Sequence, residues 1–258
     1  MSDVLIASSH ADSLAVDAVV QHHAELTGAL TARTRTLLAA AGRRDASGVH
    51  HATVDLVGWL ERELVPHALA EEHALYPAAR ALTEGRLLVE GLLQEHRELV
   101  ELAGEVAAAS DALGAAAGAR ALLALFESHV TKENDQVLPL LAASPEVDLA
   151  GLLALMHDTL GRGEGQSHDG GHHTCGCGED DAAEHPVLDA REIPHSIRHA
   201  TIFGALESVA PGGGLVLVAP HDPLPLLDQA AQRFPGRFDT DNLERGPEAW
   251  RILFTWRR

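Results

Sequence analysis

The chain has 258 residues, 46% of them hydrophobic, and its 19 basic against 38 acidic side chains give a net charge of −19. That charge opposes nucleic acid and anionic membrane surfaces as partners, and two cysteines two residues apart make no disulfide framework for a secreted fold. The apolar content is enough for real cores, and the length fits two ordinary domains better than one large one.

Residues 1–9 show no basic region before an apolar run, and no stretch of about 18 apolar residues follows anywhere, so a cytoplasmic protein is expected. From Asp12 to about Leu141 apolar residues recur at three- and four-residue spacing, which predicts four long helices. The first runs from about Asp12 to Ala41 and stops at Gly42. The second starts after Ser47, read as its N-cap, and ends near Leu82, with a kink expected at Pro66. The third spans about Glu84 to Ser110 and the fourth about Gly114 to Ala142. Short connections between long helices predict an antiparallel up-down four-helix bundle, residues 1–160, closed by a short apolar helix around Val147 to Leu160.

Gly-, His- and Asp-rich residues 161–186 then read as a linker. It carries His172, His173, Cys175 and Cys177. These four could bind a second metal ion, cycle between thiol and disulfide, or belong to a plain flexible tether, since zinc sites usually space their cysteines as Cys-x-x-Cys. Residues 187–258 alternate strand and helix signals: a strand at Val187 to Ile193, a helix at Ala200 to Val209 and a buried strand at Leu215 to Ala219. A helix at Leu224 to Phe234 and strands at Phe238 to Leu243 and Trp250 to Trp256 complete a βαβαββ two-layer sandwich.

Within the bundle a four-residue set occurs twice. His23 is followed by His67, Glu71 and Pro77, and His96 by His129, Glu133 and Pro139, each proline ten residues after its histidine. Positions i and i+4 share a helix face, so His67 with Glu71, and His129 with Glu133, each present an imidazole and a carboxylate together. His23 lies in line with Val16, Val19, Leu26 and Leu30, and His96 with Leu92, Leu93, Leu99 and Val100, so the faces point inward. Neutral imidazoles buried beside carboxylates need a partner for every polar atom, and metal ions supply them together. Two single histidines and two pairs give six ligands, which suits two ions sharing bridging carboxylates. Imidazole and carboxylate suit iron, manganese or zinc. Tyr76, the sole tyrosine, reads as packing, with a role behind a ligand as the alternative; His22, His73, His50 and His51 read as solvated, with Glu72 or His73 as candidates to orient a ligand.

On His23, His67-Ala68-Leu69-Ala70-Glu71, His96 and His129-Val130-Thr131-Lys132-Glu133, residues 12 to 142 resemble the hemerythrin-like family in its histidine, histidine, glutamate cation-binding branch. The resemblance implies a non-haem di-iron centre with four terminal histidines and with Glu71 and Glu133 as bridges. The oxygen-carrying members have a further histidine where this chain has Val100, which shifts the expectation from oxygen carriage towards binding or reacting with oxygen, nitric oxide or peroxide, in sensing or detoxification. A sensor without turnover and a metal-free scaffold are the alternatives, and an unknown protein partner or electron donor is expected.

Residues 187 to 258 resemble the domain of unknown function 2249, through Leu188-Asp189-Ala190-Arg191-Glu192, Arg198-His199-Ala200-Thr201-Ile202-Phe203, the run from Leu217 to Leu226, and Trp250. Its strand order is similar to that of small sulfur-relay proteins, but it has no cysteine, which argues against sulfur transfer. His199, His221 and Asp222 read as groups that cap helices and brace loops, with a small-molecule or partner site as the alternative.

Overall fold

A computed structural model of the chain describes residues 7, 9–163 and 185–257. Helix α1 (His10–Gly42) is capped by Ser9, whose hydroxyl accepts from the Asp12 amide at 3.1 Å. The second rod comprises α2 (Ala46–Trp59), a π-helical segment Leu60–Leu64 and α3 (Val65–Ala81). Its N-cap is Asp45, accepting from the Gly48 amide at 2.9 Å, and not Ser47: the earlier residue has the extended backbone that a cap needs. Helix α4 (Gly85–Ala108) is the third rod. The fourth is α5 (Ala112–Lys132), a π-helical segment Glu133–Val137 and α6 (Leu138–Ala143), with α7 (Leu149–Gly163) packed back on α3 and α1.

The kink expected at Pro66 takes a specific form. Proline has no amide hydrogen and its ring clashes with the carbonyl four residues earlier in an α-helix. For Pro66 and Pro139 those carbonyls belong to Arg62 and Asp135, and both lie inside the π-helical segments, whose wider turn makes room. The proline repeat is therefore structural between Pro66 and Pro139, whereas Pro77 sits inside α3 without such a segment.

Two apolar clusters fill the bundle. One holds Val16, Val19, Ala70, Ala74, Leu92 and Val137, the other Leu26, Leu30, Leu64, Leu99 and Phe126. Along every rod the change from one cluster to the other falls at a sequence-predicted ligand: His23 lies between Val19 and Leu26, His67 between Leu64 and Ala70, His96 between Leu92 and Leu99, and Glu133 between Val130 and Val137. A polar layer thus cuts the core in two.

The C-terminal part has the order β1 (Val187–Asp189), α8 (Arg198–Glu207), β2 (Gly214–Ala219), α9 (Leu224–Arg233), β3 (Phe238–Arg245) and β4 (Trp250–Trp256). Its mixed sheet runs β1-β2-β4-β3, with β1 parallel to β2 and the other pairs antiparallel. The fold is the expected helical bundle followed by an α/β unit. Strand β1 is shorter than the expected Val187 to Ile193, because the chain turns after Asp189, whose carboxylate takes the Arg191 amide at 3.0 Å. Leu215, Leu217, Ile252 and Phe254 form the core of this part with Ile202, Leu206 and Leu226. His199 braces α8 to α9 through Gln229 at 3.0 Å, while His221 and Asp222 are exposed.

The two parts meet where α1 crosses α8, and two glycines set the distance. A Cβ at Gly28 would lie 1.9 Å from the Thr201 carbonyl oxygen, and one at Gly204 would lie 2.0 Å from that of Glu25. Ala32 of α1 joins the C-terminal core, Gln21 donates to the Ser196 carbonyl at 3.1 Å, and Arg233 pairs with Glu25 at 2.8 Å. Gly204→Ala is expected to lower stability by about 1–3 kcal/mol through forced separation of the helices. Gly91→Ala, where a Cβ meets nothing within 4 Å, is expected to gain up to about 1 kcal/mol. Denaturant unfolding of the two variants checks both.

Candidate metal centre

The π-helical segments and the 3.6-residue period bring His23, His67, Glu71, His96, His129 and Glu133 into one layer, each at most 5% exposed. Their donor atoms form two overlapping groups, each able to hold a metal ion. One is His23, His67 and Glu71; the other is Glu71, His96, His129 and Glu133. Glu71 belongs to both. Its Oε1 lies 3.1 Å from Nε2 of His23 and 3.1 Å from Nε2 of His67, while its Oε2 lies 3.6 Å from Nε2 of His96. Glu133 Oε2 lies 3.4 Å from His129 Nε2 and 3.7 Å from His23 Nε2. The Nε2 atoms of His96 and His129 are 3.0 Å apart. Two donors about 2.1 Å from one ion and about 90° apart are separated by about 3.0 Å, so the spacing fits shared coordination.

The hydrogen-bond inventory makes the same point. Buried polar atoms without partners are rare, yet both ring nitrogens of His67 and Oε2 of Glu133 have no hydrogen-bond partner among the described residues. Nε2 of His67 is close to Glu71 but without hydrogen-bond alignment. A cation between these groups would satisfy them.

Around the layer lies a set of orienting contacts that helical periodicity does not reveal. Nδ1 of His23 meets Asn134 Oδ1 at 2.8 Å, Nδ1 of His96 meets Glu72 Oε1 at 2.8 Å, and Nδ1 of His129 meets Glu95 Oε2 at 3.0 Å. Glu95 is itself paired with Lys132, the only lysine. Each contact fixes the tautomer that turns Nε2 towards the centre. Of the two proposed orienting residues Glu72 fills the role, while His73 is exposed and bonds the Leu69 carbonyl at 2.6 Å. His22 is half-buried, contrary to its reading as solvated, because its ring edges against that of His67 with centroids 4.9 Å apart. His50 and His51 are exposed, as expected.

Tyr76 is more than packing. It is buried, donates its hydroxyl proton to Glu133 Oε1 at 2.7 Å, lies 3.3 Å from His96 Nε2 and stacks on that ring with centroids 5.4 Å apart. Burial and the neighbouring Glu133 carboxylate push its pKa well above the usual phenol value, so the hydroxyl keeps its proton. Val100 departs from the inward line expected for it: it is half exposed and lines an apolar groove of about 500 Å³ with Leu64, Leu69 and Leu93. His96, Glu72, Arg97 and Glu101 are the polar residues lining that groove. His172, His173, Cys175 and Cys177 lie outside the described residues.

Electrostatics without a metal are those of trapped protons. Burial opposes charge on His23, but the carboxylates of Glu71 and Glu133 outweigh it and hold its pKa up to about 9. Burial likewise opposes the Glu71 carboxylate, and His67 and His23 nevertheless hold its pKa well below the ordinary value. A raised histidine contributes stability that is complete below pH 6.5 and lost as pH rises through about 9; a depressed carboxylate contributes above about pH 4.5 and is lost as pH falls. The metal-free chain is therefore expected to be most stable between about pH 4.5 and 6.5 and to weaken steadily towards pH 9, by thermal unfolding across that range. Ions compete with the His23 proton, so divalent-ion uptake should tighten over the same alkaline span and release protons.

Residues 14–141 match the family model of the hemerythrin HHE cation binding domain, and residues 187–256 match that of an uncharacterized conserved protein family, DUF2249. No curated protein and no solved structure matches the chain. Among the described residues no helix is long and apolar enough to cross a membrane.

Proposed function

We propose that this chain, which belongs to the hemerythrin HHE cation-binding family through residues 14–141 and to DUF2249 through residues 187–256, is a non-haem di-iron protein. In this reading it binds or reacts with dioxygen, nitric oxide or peroxide, in sensing or in detoxification. The observation that carries it is the pair of overlapping donor groups joined at Glu71 with the ring nitrogens of His67 unsatisfied. A metal-free scaffold would leave those buried atoms as a standing cost of roughly 1–3 kcal/mol each, which weighs against it.

His23, His67, His96 and His129 would be the terminal ligands and Glu71 and Glu133 the bridges. Imidazole and carboxylate donors also accommodate manganese and zinc; the resemblance to the hemerythrin family supports iron. A bound iron pair supplies redox chemistry and open positions for a small ligand, since two carboxylates do not neutralise two such ions. The protein's own contribution is threefold. The two apolar clusters exclude bulk water from the layer. Glu72, Glu95 and Asn134 hold the imidazoles in register. Tyr76 keeps its hydroxyl proton, with the hydroxyl oxygen 2.7 Å from Glu133 Oε1, next to any ligand that gathers negative charge there. The second domain docks on α1, the helix that carries His23, and this favours sensing within the wider reading. Partner, electron donor and cytoplasmic location belong to the proposal as well.

The test is metal content per chain together with the visible absorption spectrum, on wild type and on Glu71→Ala/Glu133→Ala. About two irons per chain are expected, with charge-transfer bands that vanish in the double variant. Wild type that takes up no ferrous iron under anaerobic conditions would leave the scaffold reading ahead.

A further inference from the structure

The two metal positions are built unequally, and we infer that one ion is held firmly by Glu71, His96, His129 and Glu133 while the ion at His23, His67 and Glu71 is the exchangeable one. This rests on the di-metal reading above and names how its two halves differ.

Donor clustering comes first: four protein donors gather at the firm position and three at the exchangeable one, with Glu71 common to both, and the second bridge Glu133 leans to the firm side, its Oε2 3.4 Å from His129 Nε2 and 3.7 Å from His23 Nε2. The residues behind the imidazoles add to this. His96 and His129 each give their Nδ1 proton to a carboxylate, Glu72 at 2.8 Å and Glu95 at 3.0 Å. A carboxylate in that place strengthens the imidazole as a donor and adds negative charge near the cation, an effect of 10–100-fold in affinity where such partners have been removed. At the other position His23 has only the neutral amide of Asn134, at 2.8 Å, and His67 has no hydrogen-bond partner on either nitrogen among the described residues. Lys132 offsets part of the charge of Glu95 but also pins that carboxylate. Tyr76, by its hydrogen bond to Glu133 and its stacking on His96, fixes two donors of the firm position and touches none of the exchangeable one's own histidines.

The surroundings of the exchangeable position point the same way. The ring that abuts His67 is that of His22, which lines a polar cavity of about 260 Å³ between α1, the Trp59–Glu63 stretch and α8, along with Glu25, Glu63 and Glu207. The weaker ion therefore lies on the side of the bundle where the second domain docks. Loss or gain of that ion is the event α8 is placed to register.

The experiment is an anaerobic titration of the metal-free full chain with Mn²⁺, read by electron paramagnetic resonance and by competition with a chelator. Two steps are expected, at least tenfold apart. The first ion should give an isolated Mn²⁺ signal, and the second should convert it to a spin-coupled one. A brief chelator pulse should leave one ion per chain. His67→Ala should keep that retained ion, and His129→Ala should lose it. Glu72→Gln and Glu95→Gln should each weaken the first step by 10–100-fold with little change in the second, whereas Asn134→Asp, near-isosteric and half-buried, should tighten the second. Asn134→Asp guards against variants that merely misfold, since it predicts a gain. Two ions bound with equal affinity, or a retained ion that depends on His67 rather than His129, would overturn this inference and leave the di-metal reading standing. Failure of wild type to take up any ion would remove both.

Discussion

Everything in the bundle is arranged around one constraint: six ionisable side chains occupy the middle of an apolar core, where each unpaired polar atom is costly. Helix packing alone would fill that layer with leucine. The chain instead interrupts both core clusters at the same height on four rods and surrounds the interruption with Asn134, Glu72, Glu95 and Tyr76. Those contacts satisfy the outward nitrogens of three histidines and one oxygen of Glu133. They leave the inward-facing donors crowded together at 3.0–3.7 Å, a packing of like lone pairs that only protons or a cation relieve. The raised pKa of His23 and the depressed pKa of Glu71 express that need in the metal-free chain.

The π-helical segments serve the same constraint. An α-helix advances its faces by a fixed 100° per residue, so a ligand pair and a distant core stripe on one rod drift out of register. A one-residue wider turn resets the register. Leu60–Leu64 does so just before His67, and Glu133–Val137 begins at the ligand Glu133 itself. Pro66 and Pro139 stabilise these segments by making the ordinary helical turn sterically poor where they occur. Pro66, which reads as a kink from sequence, and Pro139 are thus tied to the placement of the carboxylates.

The sequence showed the six central residues because they obey a helical period among apolar neighbours, and it showed the βαβαββ order because Leu215 to Ala219 and Trp250 to Trp256 are apolar runs bounded by glycine, proline and charge. Of the orienting residues Glu72 was a candidate from sequence, and Glu95 and Asn134 were hidden for a geometric reason. Glu72, Glu95 and Asn134 each stand next in sequence to a central residue, Glu71, His96 and Glu133, but each serves a histidine on another rod: His96, His129 and His23. A residue adjacent to an inward one points about 100° away, into the seam between two helices, where it meets the outer edge of the neighbouring rod's imidazole. A polar residue flanking an inward ligand is the signal that could have found them. Tyr76 was hidden because a buried aromatic ring and a buried hydrogen-bonding phenol look alike in a pattern of apolar positions.

The junction of the two domains was not legible, since it depends on backbone contact and not on side chains. Gly28 and Gly204 are unremarkable helical glycines until α1 and α8 are seen to cross with the carbonyls of Thr201 and Glu25 where a Cβ would stand. Helices in such close contact cannot slide or tilt independently, and α1 carries His23 five residues before Gly28. Arg233 is pinned to Glu25, two residues from His23, and its guanidinium also lies 5.4 Å from the centre of the Phe203 ring. A shift of His23 by a fraction of an ångström, as its Nε2 exchanges a proton for a heavier partner, must therefore be absorbed by α1 or passed to α8. The dense contact at Gly28 and Gly204 leaves α1 little room to absorb it, so the C-terminal sheet is mechanically attached to the metal layer at its less tightly held end.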